Sequence, residues 1–217
     1  MSTYTAFRDK ARTFVAVLTV AAGLFALAPH AARAEVASME NALKEMSIGK
    51  ADAPVVMNDY SSLTCPHCAA FHTTTLNQIK KDYVDTGKVR VVFHDFPLDR
   101  IALAAMMLTR CAGPERSVDL YDMLYQTQGN WTKSGQPLPA LTALVRFYGL
   151  GEDDVLKCLE NQDLMQTILD RRESASKQYG INSTPSFVID GKKLDGNLDY
   201  GDFRKALDKA LADRGVK

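Results

Sequence analysis

Cys65-Pro66-His67-Cys68 sets two thiols two residues apart, just after an apolar run and at the start of a helical pattern. At a helix start such thiols can reach each other and meet the positive end of the helix dipole. That suits a dithiol cycling between reduced and bonded states. Thiol–disulfide exchange needs a thiolate that attacks or leaves. Cys65, nearer the helix start, is the expected reactive sulfur, because free N–H groups and the dipole favour its anion. His67 can add a donor or a positive charge beside it. Cys68, one turn inside, is expected to be shielded and to act as the resolving partner. Zinc sites use the same spacing. A purely structural disulfide is a further reading, although so short a loop constrains little chain entropy.

The elements around this motif follow from periodicity. Glu35 to Lys50 reads as a polar lead with a helical turn and an edge strand. Val55 to Tyr60 reads as a buried strand, Cys65 to Tyr83 as a helix ended near Gly87, and Val89 to Phe93 as a β-branched strand. This is a βαβ unit. Helical periodicity then holds over Ile101–Cys111, Pro114 to about Gln128, Pro139 to about Gly149, Glu152–Glu160 and Asp163–Tyr179, with Gly180 as a C-terminal cap. Strand character returns in Ser186–Ile189, turns at Asp190-Gly191 and continues near Lys193-Leu194. Gly201–Asp213 closes the chain as a helix. The fold class is therefore α/β.

Three segments together resemble the DsbA-like thiol:disulfide oxidoreductases of the thioredoxin fold. They are Asp59-Tyr60-Ser61-Ser62-Leu63-Thr64 before the Cys-Pro-His-Cys, Asp95-Phe96-Pro97-Leu98 after the second strand, and Tyr179 to Phe187 containing Thr184-Pro185. The resemblance covers nearly all of residues 35–217. It implies a thioredoxin fold with a helical subdomain inserted over about residues 99–179. It implies Cys65, Pro66, His67 and Cys68 as the redox centre, with Asp59 as a buried carboxylate that exchanges protons with Cys68. DsbA of the best-known type has Glu there, and thioredoxin has Asp. It also implies a cis Thr184-Pro185 bond that turns the Thr184 backbone toward Cys65 to pair with an extended substrate segment. A Pro-His pair between the cysteines is the oxidant's variant, so the implied activity is disulfide donation to exported proteins with free cysteines. A membrane quinone reductase of the DsbB type would reoxidise the dithiol, and no cofactor is implied. A reductase or isomerase on the same fold is the alternative; DsbC-type isomerases carry a long N-terminal dimerisation region. A thiol metal-handling module is the rival from another class.

Cys111 and Cys158 both fall in the helical insertion. Some DsbA-like proteins carry an extra pair there, so the resemblance implies a structural disulfide. Two buried thiols or a second redox relay are the other readings. The 46 residues between Cys111 and Cys158 do not form a zinc knuckle or ribbon, and no metal-ligand spacing joins the histidines. His72, seven residues after Cys65, is expected to pack or meet solvent, and His94 is open to either reading. Trp131 could line a substrate groove but is more simply core, as are Met106 and Met107. Glu152-Asp153-Asp154 makes a favourable acidic helix start.

Residues 1–34 read as an export signal: Arg8, Lys10 and Arg12 precede the 16 apolar-rich residues Thr13–Ala28, and Ala32-Arg33-Ala34 is a small-x-small cut site. Sixteen residues fall short of the roughly 20 that cross a bilayer, so cleavage after Ala34 and a periplasmic protein are expected. Of 26 basic and 26 acidic residues, that segment holds four (Arg8, Lys10, Arg12, Arg33) and one (Asp9). The remaining 22 against 25 give no electrostatic reason for a nucleic-acid partner. A monomer is expected.

Overall fold

A computed structural model describes residues 35–195 and 198–216; the expected signal segment lies outside them. The apolar run Val55–Ser61 forms β2, at the centre of a five-stranded sheet of order β1-β3-β2-β4-β5. Its neighbours are β3 (Val89–Asp95), parallel to it, and β4 (Ser186–Ile189), antiparallel. The edges are β1 (Met46–Ile48), preceded by the helical turn α1 (Met39–Ala42), and β5 (Lys192–Asp195). The β4–β5 hairpin turns through Asp190 (φ 48°) and Gly191 (φ 76°), the positive-φ pair that a two-residue hairpin needs.

Between β2 and β3 runs α2, in which α-helical Pro66–Ala70 and Leu76–Ile79 alternate with π-helical Phe71–Thr75 and Lys80–Val84. The insertion between β3 and β4 holds α3 (Arg100–Cys111), α4 (Pro114–Gln126), α5 (Gln128–Thr132), α6 (Pro137–Val145), α7 (Glu152–Leu159) and α8 (Gln162–Tyr179). The chain closes with α9 (Tyr200–Asp213). This is a mixed α/β thioredoxin-like fold with its helices inserted between β3 and β4, as the sequence led us to expect.

Two helix boundaries in the insertion depart from that expectation by two residues. Helix α6 starts at Pro137, not Pro139. Both prolines lie in its first turn, where an N–H has no intrahelical acceptor, so both are tolerated. The segment expected to reach Gln128 breaks at Thr127, and α5 restarts at Gln128. Gly180 caps α8 at φ 64°, in the left-handed region.

Strand alternation divides the core. Met57, Phe93 and Phe187 share one large cluster with α2, α9 and the insertion, including fully buried Trp131. Tyr60 and Val188 face the other way, with Phe96, Ala175 and Ile181. The insertion is anchored to the sheet by a buried ion pair, Arg110 Nε to Asp95 Oδ2 at 2.7 Å, while Arg110 Nη1 donates to the Lys44 carbonyl.

Candidate active site

Cys65 is the N-cap of α2, with Pro66 at the first helical position, so its sulfur sits where the helix leaves its N–H groups free. Cys68 lies one turn in and is fully buried, whereas Cys65 is 7% exposed beside exposed Pro66 and His67. Both are free thiols. Their environments drive them apart. A hydrogen bond from Cys68 is the largest influence lowering the Cys65 pKa to about 5; the Thr184 side chain and the backbone N–H groups of Cys68 and His67 help, against desolvation. Burial, then the hydrogen bond and charge of Cys65, push the Cys68 thiol up. The Ser62 N–H donates to Cys68 Sγ at 3.5 Å.

The Thr184-Pro185 bond is cis and lies against the dithiol: Cys65 Sγ donates to the Thr184 carbonyl at 3.3 Å. The Thr184 hydroxyl is buried without a hydrogen-bond partner. It is the donor that becomes useful once Cys65 ionises. Thr184→Val should therefore leave the fold intact, since an isostere removes an unpaired polar group, yet raise the Cys65 pKa and lower the reduction potential of the dithiol. A charge-assisted hydrogen bond of about 1.5 kcal/mol corresponds to a potential roughly 30 mV lower for a two-electron couple. Glutathione equilibration of both proteins measures it.

Asp59, on β2, is fully buried rather than facing water at a strand end. One carboxylate oxygen accepts from Ser61 Oγ, and the other lies 2.9 Å from His72 Nε2. His72 packs, as one of its two readings had it, but its ring nitrogen is turned to Asp59. His94 sits on the opposite face, stacked on Tyr60 at 4.4 Å with Nε2 2.8 Å from Asn58 Oδ1, and burial lowers its pKa. Trp131 is core, its Nε1 donating to the Leu124 carbonyl.

Gln128 was not singled out in the sequence. Its buried amide nitrogen donates to the carbonyls of Leu63 (2.8 Å) and Cys65 (3.0 Å), so α5 holds the turn that presents Cys65. Asp99 adds a second tie: Oδ1 caps α3 through the Ala102 N–H, and Oδ2 accepts from Thr64 Oγ1 at 2.6 Å. Contacts this distant in sequence leave no local signal.

Cys111 and Cys158 are joined as a disulfide across α3 and α7. Among the described residues no cluster of three or more His, Cys, Asp or Glu could hold a metal. No described helix is long and apolar enough to cross a membrane.

The family model described as Thioredoxin matches residues 41–209. The chain belongs to the thioredoxin family. Within that family it is DsbA-like. The crystal structure of Wolbachia pipientis alpha-DsbA1 is 28% identical, with a TM-score of 0.70, covering 79% of this chain and 95% of that one. A Rickettsia prowazekii protein carrying the provisional name protein-disulfide oxidoreductase is 30% identical over 174 residues, 80% of this chain. The match takes in 64% of that relative, so the chain spans less than two thirds of its length. BdbD of Bacillus subtilis, at 19% identity and a TM-score of 0.66 over 82% of this chain and 97% of that one, shares the fold.

Proposed function

We propose that the protein is an oxidant: it donates the Cys65–Cys68 disulfide to cysteine pairs of exported, still unfolded proteins in the periplasm. The opposed displacement of the two thiols carries this reading. Burial of Cys68 directs an incoming substrate thiolate to Cys65. The mixed disulfide at Cys65 is then resolved by a second substrate thiol, which expels the Cys65 thiolate. With a pKa near 5, against about 8.5 for an ordinary cysteine, Cys65 is the better leaving group. Stabilising the reduced dithiol is the same thing as making the disulfide a stronger oxidant. The basic and apolar run at residues 1–34, read as a cleaved signal, supports the compartment, where disulfides persist. Reoxidation falls to a DsbB-like membrane quinone reductase, with the Cys65–Cys68 dithiol as the redox group.

Equilibration in glutathione buffers tests the direction of transfer. DsbA lies near about −120 mV and thioredoxin near about −270 mV. The potential expected here is on the DsbA side of the midpoint between them. A value near that of thioredoxin would overturn the oxidant reading and leave the family assignment standing.

A further inference from the structure

Cys68 must lose or gain a proton each time the disulfide closes or opens, yet it is fully buried. Some protein group has to hold that proton. Asp59, also fully buried, is among the charges acting on Cys68. It is paired with His72 at 2.9 Å, and the two side chains are 0% and 1% exposed. Cys68 and His72 are four residues apart on α2 and so share a helix face. The π-helical turn Phe71–Thr75 begins one residue before His72, and such turns often mark functional sites. The imidazole is clamped by Tyr125, stacked at 4.0 Å, and by Tyr121, Phe93 and Phe71, each with its ring centroid 5.4 Å away.

We propose that Asp59 and His72 form a proton-sharing pair serving Cys68, with His72 a positioning residue that acts through Asp59. The idea rests on the exchange chemistry proposed above. In the oxidised protein one proton is held between Asp59 Oδ2 and His72 Nε2, and the pair is neutral overall. Attack by a substrate thiolate forms a bond to Cys65 Sγ and breaks the Cys65–Cys68 bond, whose electron pair leaves on Cys68 Sγ. The shared proton passes to that sulfur, giving a thiol and leaving the pair with one negative charge. On reoxidation the pair takes the proton back, and the Cys68 thiolate attacks the mixed disulfide at Cys65, expelling the oxidant's thiolate.

A carboxylate alone would confine the proton to one site; the imidazole lets it rest on either partner with no change in net charge. The other titratable groups facing the pair do not compete. Tyr121 and Tyr125, from α4, are held protonated by burial. Asp95, at the end of β3, is engaged by Arg110.

His72→Gln keeps a donor near the Nε2 position but carries no transferable proton. A mixed disulfide with glutathione is preformed at Cys65, and the rate at which Cys68 displaces it is followed by stopped flow across pH 4–9. The variant's rate should fall about 10²-fold, the lower end for general acid–base catalysis, and lose its inflection with pH, while the alkylation midpoint of Cys65 stays put. A folded variant that reproduces the wild-type profile overturns the pairing. A second measurement needs no variant: ¹⁵N shifts of the His72 ring at fixed pH should differ between oxidised and reduced protein, and identical shifts overturn the proposal. Absence of any exchange in the wild-type protein would sink both readings; normal exchange that ignores His72 sinks only this one.

Discussion

On the proposed exchange chemistry, Cys68→Ala should leave Cys65 as a stoichiometric trap. Oxidised glutathione would load one adduct per chain onto Cys65, and with no resolving thiol the adduct would persist until an external reductant is added. Oxidation of a dithiol peptide would cease. Intact-mass spectrometry under non-reducing conditions reads the first effect and a peptide oxidation assay the second. A third follows from the hydrogen bond from Cys68, the largest influence holding the Cys65 pKa near 5. Without it the alkylation curve should move to higher pH. In the wild-type protein the rate should be flat above that midpoint and fall about tenfold per pH unit below it, as the thiolate fraction does. A variant whose midpoint stays near 5 would assign the effect to the Thr184 side chain and the backbone N–H groups at positions 67 and 68 instead.

The same depressed pKa fixes the sign of a stability difference. In the unfolded chain Cys65 ionises near about 8.5, and in the folded one near 5. A depressed group stabilises the fold fully above its unfolded value, and that contribution is lost as pH falls through the folded value. The disulfide form carries no thiolate. The reduced protein should therefore gain on the oxidised one as pH rises from about 5 toward 8.5, which paired thermal melts would follow. Above that range Cys68, kept protonated by burial, works the other way.

The sequence made some of this legible because the determinants are local. The apolar run of β2, Pro66 at a helix start and Gly180 in the left-handed region each specify their own backbone. The alternation of α and π turns in α2 leaves no such mark. Inserting one residue per π turn shifts the helix face without disturbing an apolar pattern. His72 could be placed on the face of Cys68 by counting, but its partner Asp59 comes from a neighbouring strand. Gln128 is recognisable only once α5 lies over the Leu63–Cys65 turn, more than 60 residues away. Nothing in spacing alone pairs Cys111 with Cys158; that needs α3 packed on α7.

Removing that second disulfide should cost the fold far more than the chemistry. Cys111 and Cys158 are 47 residues apart in sequence. On the chain-entropy model a loop of this length is worth about 4 kcal/mol, an upper figure. In a protein of this size each kcal/mol moves Tm by about 2–4 °C, so Cys111→Ala/Cys158→Ala should melt roughly 10 °C lower. Both sulfurs are buried, at 1% and 0% exposure, which keeps substrate thiolates from them. The Cys65–Cys68 potential and the peptide oxidation rate at 25 °C should then stay within twofold of wild type. A redox relay would give the opposite pattern, with slowed exchange and little loss of stability. A small loss in both would mean that α3 and α7 are held by the packing of Leu108 and Val155 in the shared core, with the covalent link adding little to a contact the side chains already make.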